Sequence, residues 1–530
     1  MYLTSMDSSN LISWTLSGGY DDDRPILIDA SDSNRFLTKA QAKNLVARLA
    51  GVFRQGSTIC LHLHNDILYP ILVLAILASK CRWTGTLPVY TTSELEHHFR
   101  NAEVDHVITS VDLWKTVSAG VQRSGRRAEM ILFTDVVDGT SGPSHHNPDQ
   151  LRILDGTGVR SLRDLLRDRT TDELETTIGA IPPESTAVLM QTSGTTGMPK
   201  LAARTHRSLM VELNAVQDNH ADKPYPVRRL FCTPITHAFT FPEMVFNSLR
   251  LGLTTVIMKR FNDTFAQIVQ DQNITEIFVA PPILLHLVNT PHLQPQLQSI
   301  HSIAFAGCSL TPSLRQRTLR MFSKPPRIVP VYGMTEGGWF STLKYPEEDH
   351  TGSVGRAIPG YMLRVSTSET VTLDDGSLVG ELQAFGPQMM VSYLNDDVST
   401  ENAFTPDSWL KTGDIGYIND GKVYLVDRAK DLIKVNGFQI SPAEIENALT
   451  RLEDVQDAAV FGVASDVNEH PMACVLPRSK NVTENMIIEH LRTTLAGYKV
   501  AKCEIRFVDS IPKSPAGKTL RKVLREQMGY

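Results

Sequence analysis

The sequence predicts an α/β protein with a large N-terminal domain of layered α/β subdomains, residues 1–427, and a small α+β domain, residues 428–530. Two observations predict this class. Apolar, β-rich runs alternate with helical patterns through most of the 530 residues, as layered sheets and helices require. The last hundred residues then change character, with a strand pair, a capped helix, two further strands and another helix in a short span.

Taken in order, the first strong apolar run is Ile67 to Ala78, 12 residues that include Pro70. It is too short to span a bilayer and reads as a buried helix. The runs "STICLHLHN", "TAVLMQTSG", "LTTVIMKRF", "EIFVAPP" and "SIAFAGCSL" read as buried strands with loops at their ends, where ligands bind in α/β folds. "YLVDRAKDLIKVNGFQI" reads as a hairpin or strand pair, and the domain boundary falls near Asp427 to Lys430. Ser441 and Glu444 form a capping-box pattern, with Pro442 in the first turn. Ile445, Ala448, Leu449 and Leu452 then share one helical face. Short strands around "AAVFGV" and "MACVLP" precede a helix from Glu484 to Leu495.

Composition excludes several classes. Hydrophobic content of 42% and charged content of 21% suit a globular protein, and a net charge of −6 argues against bulk electrostatic binding of nucleic acid. The six cysteines, Cys60, Cys81, Cys232, Cys308, Cys474 and Cys503, include no CxxC pair, which fits reduced thiols better than a disulfide framework or a zinc site. The N-terminus lacks the basic and apolar blocks of a signal peptide, and the chain ends "REQMGY", not a peroxisomal address. A cytoplasmic enzyme is expected.

Chemistry concentrates in a few glycine-rich segments. In "QTSGTTGMPK", Gln191 to Lys200, small residues let backbone N–H groups approach phosphate oxygens, hydroxyls add donors, and Lys200 adds a mobile charge. Lys200 follows Met198-Pro199 and precedes Leu201, so this is no Walker loop. "VYGMTEGG" sets Tyr332, Gly333, Thr335 and Glu336 together, fit to stack on a purine, bond a phosphate and hold Mg²⁺, or to form a plain turn with an exposed glutamate. "WLKTGDIG" carries Asp414 in a glycine-flanked turn, fit to accept two ribose hydroxyls or to form a plain Asx turn. "VDRAKDLIKVNG" holds Arg428, Lys430, Lys434 and Gly437, and "IPKSPAGKTLRK" holds Lys518.

In this order and at these intervals, the segments "TSGTTGMPK", "YGMTE", "KTGD", "DRAKDLIKVNGFQI" and "PKSPAGK" resemble the signatures of the adenylate-forming superfamily. That superfamily includes acyl- and aryl-CoA ligases, luciferases and adenylation domains of nonribosomal peptide synthetases. The resemblance runs from about residue 25 to the C-terminus and is closest to stand-alone acyl- and aryl-CoA ligases. It implies ATP-dependent conversion of a carboxylic acid to an acyl-AMP with loss of pyrophosphate, then transfer to a thiol.

The resemblance also implies roles. Thr192, Ser193, Gly194, Thr195, Thr196, Gly197 and Lys200 cradle the pyrophosphate, Thr335 contacts the α-phosphate, and Glu336 holds Mg²⁺. Gly307, Cys308 and Ser309, with Tyr332 and Gly333, frame adenine, and Asp414 and Arg428 take the ribose hydroxyls. Lys518 is the catalytic lysine of adenylation, and Lys434 belongs with the catalytic residues. Lys430 is the hinge about which the small domain turns between half-reactions, and Gly437 lets the pantetheine arm pass. His237, in "CTPITHAFTFPEM", gates entry of the thiol.

That same segment offers no aspartate for an α-ammonium, so an α-amino acid is not expected. Phe239 and Phe241 suggest an apolar or aromatic acid, though core packing explains them equally well, and Ala238 after the histidine disfavours salicylate-type acids. Only 12 residues follow Lys518, and they hold no carrier domain. The thiol is therefore expected in trans, and the resemblance of "DRAKDLIKVNGFQISPAEIE" to CoA ligases implies CoA, with phosphopantetheine on a separate carrier protein as the alternative.

Overall fold

In the computed structural model the described residues are 10–137, 158–167, 178, 181–192, 199–217, 223–307, 310–367, 370–373, 376–428, 431–435, 438–464, 469–479, 481–495, 497–500, 502–513 and 519–530. Ten strands position the functional residues. They are β1 (Thr186–Gln191), β2 (Leu201–Thr205), β3 (Arg228–Phe231), β4 (Glu276–Val279), β5 (Ser302–Phe305), β6 (Arg327–Met334), β7 (Gly338–Thr342), β8 (Ser392–Tyr393), β9 (Leu410–Asn419) and β10 (Lys422–Arg428).

Two large sheets carry them. An eight-stranded sheet contains the antiparallel pair β1–β2, with β8 on the outer side of β2. A fourteen-stranded sheet runs β3, β4, β5, β6 in parallel, turns back through β7, and continues to the antiparallel pair β9–β10. The four parallel strands bury their central residues, among them the charged Arg229, as expected of strands covered on both faces.

The helix Tyr69–Ala78 is buried along its whole length, with Pro70 in its first turn where the missing N–H costs nothing. Its all-round apolar character is that of an interior helix, and it packs in the main core with Trp83, Phe241 and Phe246.

The C-terminal unit has its own core of Ile433, Ile445, Leu449, Val460, Val475 and Ile487. The hairpin Ile433–Val435/Phe438–Ile440 leads into the helix Pro442–Leu449. Ser441 accepts the Glu444 N–H at 3.3 Å, while the Glu444 carboxylate binds Lys499, which lies 55 residues away. The strands expected to be short are long: Val455–Ala464 and Glu469–Pro477, of ten and nine residues, pair along their whole length with one register shift at Val455/Asp457. Apolar content marked only the centre of each; cross-strand pairing extends the ends.

Candidate active site

The phosphate-loop motif sits where β1 leaves its sheet and β2 re-enters. Thr192 N–H donates to the Lys200 carbonyl at 2.8 Å, and Lys200 N–H donates to Thr192 Oγ1 at 3.2 Å, closing the neck of the loop. Ser193, Gly194, Thr195, Thr196 and Gly197 lie outside the described residues. The Lys200 ammonium stands 5.0 Å over the Tyr393 ring. Tyr393 arrives there because β8 pairs with β2, placing it opposite Ala202.

The Tyr393 hydroxyl donates to Glu336 Oε1 at 2.6 Å. Burial, with the Glu336 carboxylate adding to it, pushes the Tyr393 phenol far above its ordinary range, so it remains a neutral donor. Glu336 lies in the turn between β6 and β7 and is only 7% exposed. Three further contacts fix that turn. Met390 N–H donates to the Glu336 carbonyl at 2.7 Å, the Tyr361 hydroxyl donates to the Gly337 carbonyl, and Trp339 N–H donates to Glu212 Oε1 at 3.0 Å. Glu212 is itself held by Arg204 Nη1 at 2.8 Å, and both side chains are buried.

Glycine is required twice here. A Cβ on Gly333 would lie 2.1 Å from the Gly338 carbonyl, and Gly338 has φ +74° with Glu212 Oε1 against it. Thr335, half-buried, occupies the same turn. A buried carboxylate next to a hydroxyl residue, hydrogen-bonded to the tyrosine whose ring lies under a lysine, would fit an Mg²⁺ ion, which takes few protein ligands.

Near the same end of β6, three residues before Thr335, Tyr332 donates its hydroxyl to Asp414 Oδ2 at 3.0 Å and packs its ring edge-on against Phe340. Asp414 was expected in a turn; it lies inside the ten-residue strand β9. Gly413, at φ +67°, and a register shift at Ile415/Gly416 mark an irregular strand rather than its end. Arg428 is the cross-strand partner of Asp414, so the two expected ribose residues are neighbours on β9 and β10. Gly307 follows β5 at φ +91°. Lys434 sits in the C-terminal hairpin opposite Gln439. Cys308, Ser309, Lys430, Gly437 and Lys518 lie outside the described residues.

His237 occupies a turn whose carbonyl accepts Thr240 N–H and Phe241 N–H at 3.0 and 2.9 Å, just before the π-helical stretch Pro242–Asn247. Wide turns of this kind are frequent at functional sites. Its Nε2 is buried with no hydrogen-bond partner among the described residues, and burial lowers its pKa to about 4.

The two phenylalanines part company. Phe239 lies between Trp339 and Phe278, at centroid distances of 6.0 and 5.7 Å, and the Trp339 indole N–H donates to the Ala238 and Phe239 carbonyls. Phe241 stacks on Trp83 at 4.5 Å and belongs to the core. Two positions apart at a helix entrance, the side chains face different ways.

Tyr393, Glu212, Arg204 and Trp339 escaped sequence reasoning. Arg204 and Trp339 adjoin recognised motifs, but the spacing carries no sign that β8 brings Tyr393 back across 57 residues to Glu336.

Two family models match the chain: AMP-binding enzyme over residues 18–394, and AMP-binding enzyme C-terminal domain over residues 444–518. The chain is an AMP-binding, adenylate-forming enzyme. An acyl-CoA ligase of Phoma sp. is 46% identical over 524 residues, 98% of this chain and 96% of its own. A phenylacetyl-CoA ligase of Aspergillus niger is 32% identical, with 98% and 96% covered. ATP-bound MatB from Rhodopseudomonas palustris superposes with a TM-score of 0.83 at 22% identity, covering 98% of this chain and 99% of that one. This enzyme is thus an acid–thiol ligase of the acyl-CoA synthetase type, with the fold class expected from its sequence. No described helix is long and apolar enough to cross a membrane.

Proposed function

We propose that this enzyme activates an apolar or aromatic carboxylic acid, not an α-amino acid, and transfers the acyl group to CoA in the cytoplasm. The observation that carries the reading is the meeting of Lys200, Tyr393 and Glu336 at the neck of the phosphate loop. A cation over the ring face and a buried carboxylate at the ring's hydroxyl suit a nucleoside triphosphate. In the first half-reaction a substrate carboxylate oxygen bonds to the α-phosphorus of ATP. The bond to the bridging oxygen breaks, and pyrophosphate leaves. In the second, the thiol sulfur bonds to the acyl carbon as AMP departs.

Both steps depend on positioning and charge neutralisation more than on proton transfer. Thr192 and Lys200, with residues 193–197, are assigned to the departing pyrophosphate and Thr335 to the α-phosphate. Tyr332, Gly333 and residues 307–309 are assigned to adenine, and Asp414 and Arg428 to the ribose. Glu336 would hold Mg²⁺, which neutralises phosphate charge when bound. Lys518 is assigned to the developing charge of adenylation, and the small domain, residues 428–530, is assigned to turn about Lys430. In the second half-reaction Gly437 and Lys434 would face the thiol. His237, neutral and half-buried beside Phe239, is assigned to guard its entry. Loading of a separate carrier protein is the second acceptor considered, and the thioester assay decides between them.

One assay tests the reading. Enzyme, ATP, Mg²⁺ and CoA are incubated with fatty, benzoic, cinnamic and short branched acids, and products are read by mass spectrometry. An acyl-CoA with AMP is expected. Acyl-AMP without thioester would move the acceptor to a carrier protein, and ADP would overturn the adenylation chemistry.

A further inference from the structure

Beneath Trp339 the parallel strands form the wall of a cavity of about 40 Å³. That holds about three waters, or the last few atoms of a ligand. Its two ends differ in chemistry. Phe278, Val331 and Trp339 line the end toward Phe239 and the β6–β7 turn, whereas Lys223, Glu276 and Arg327 line the other.

Sheet register explains the division. Arg229, Glu276, Ser302 and Arg327 are consecutive cross-strand partners in one row, and Phe231, Phe278, Ala304 and Val329 form the row two residues further along. Side chains two apart share a face, so one face grades from charged to apolar toward the strands' C-terminal ends. From Arg327 to Val331 is about 13 Å at roughly 3.3 Å per residue.

The charged row is heavily engaged. Lys223 binds Glu276, whose Oε1 also accepts the Tyr225 hydroxyl at 3.0 Å. Arg229 Nη1 binds Glu243 at 2.7 Å and its Nε lies 3.5 Å from Glu276 Oε2. Arg327 donates to the Leu343 and Glu347 carbonyls and lies over Tyr345. Glu348 also acts on Arg327, so the three cations of this row are set against three carboxylates, Glu243, Glu276 and Glu348. Apolar side chains would fill this volume with less desolvation cost, so stability alone does not call for such a row. A cavity floor rich in N–H donors beside an apolar lining suits a ligand that is apolar in the middle and an oxygen acceptor at its tip.

We propose that the acid is held by its far end: its carboxyl faces the β6–β7 turn, and a carbonyl or second carboxylate about ten carbons away is received by the row containing Lys223, Glu276 and Arg327. This rests on the acid–CoA ligase reading above and adds the substrate class.

The test uses the full chain with ATP, Mg²⁺ and CoA and compares decanoic, 9-oxodecanoic and decanedioic acids. A second series comprises 4-phenylbutanoic acid and its ring para-acetyl and para-carboxy forms. Oxygen-tipped acids are expected to show at least a tenfold higher kcat/KM than their apolar parent in one series. Preference for both tips supports a general acceptor site; preference for the carboxylate alone supports an anion site. In Lys223→Met and Glu276→Gln the preference should fall below twofold with KM for ATP unchanged, whereas a merely structural role would lower turnover of all acids alike. Equal or better use of the apolar parents in both series overturns the proposal, as does a preference untouched by either substitution. The wild-type comparison stands even if a variant fails to fold. Pyrophosphate release with apolar parents leaves the ligase reading intact when the floor assignment fails; none with any acid overturns both.

Discussion

Tyr393 Oη lies 2.6 Å from Glu336 Oε1, and the same ring carries Lys200 Nζ 5.0 Å from its centroid. One tyrosine therefore fixes the carboxylate assigned to magnesium relative to the lysine of the phosphate loop. Removing a hydrogen bond to a charged group costs about 1.5–3 kcal/mol. Tyr393→Phe should raise the KM for MgATP roughly ten- to hundredfold. Its KM for the acid should hold. Steady-state kinetics at varied MgATP checks this; an unchanged KM would show that Glu336 is oriented without Tyr393.

Asp414 meets Tyr332 at 3.0 Å and pairs across the sheet with Arg428. Asp414→Asn keeps the shape but removes the charge that a ribose hydroxyl pair would address. AMP affinity, read by calorimetry, should drop about tenfold or more. Tyr332→Phe should have the smaller effect. If AMP binds Asp414→Asn as tightly as wild type, the ribose assignment fails.

The β6–β7 turn rests on the buried pair Arg204–Glu212, 2.8 Å apart. Breaking a buried pair leaves one charge uncompensated, at a cost of about 3–5 kcal/mol. Glu212→Ala should therefore lower the urea midpoint and also impair ATP use, because the Trp339 N–H loses its acceptor. Gly338→Ala should act on the same turn, since its φ of +74° strains any side chain and Glu212 fills the space. Wild-type stability in both variants would refute this account of the turn.

The fold was legible where local pattern suffices. Buried strands such as Glu276–Val279 are short apolar runs, and the helix Tyr69–Ala78 is one uninterrupted apolar stretch. The site was legible only in part, because its motifs carry loops and their first contacts but not the pairing that supports them. Asp414 read as a turn residue because two glycines flank it, yet a long strand absorbs those glycines as an irregularity. Phe239 and Phe241 looked equivalent in sequence, and only packing against Trp339 on one side and Trp83 on the other separates them. The row Arg229–Glu276–Ser302–Arg327 is assembled from four separate strands, so no window of sequence contains it.

The half-reactions should separate genetically. Lys518→Ala removes the charge assigned to the adenylation transition state, worth about 3–4 kcal/mol, so pyrophosphate release should fall by roughly 10²–10³-fold with the melting curve unchanged. Gly437→Ile should leave acid-dependent pyrophosphate exchange intact and abolish thioester formation. Equal loss of both activities in Gly437→Ile would sink the pantetheine assignment.

Acid should unfold this protein earlier than its carboxylates alone require. Burial lowers His62, His206 and His237 to about 4 and His98 to about 3, from an ordinary 6.5. Between these values the unfolded chain takes up protons that the folded chain does not, so stability rises with pH across the window. It is fully present above about 6.5 and is lost as pH falls toward 4. The urea midpoint should decline steadily from pH 7 to pH 5. His98→Gln, which keeps a partner for the Thr84 hydroxyl now 3.0 Å from His98 Nε2, should make the decline shallower. A midpoint constant over that range would mean that these imidazoles are protonated in the folded protein or still neutral in the unfolded one.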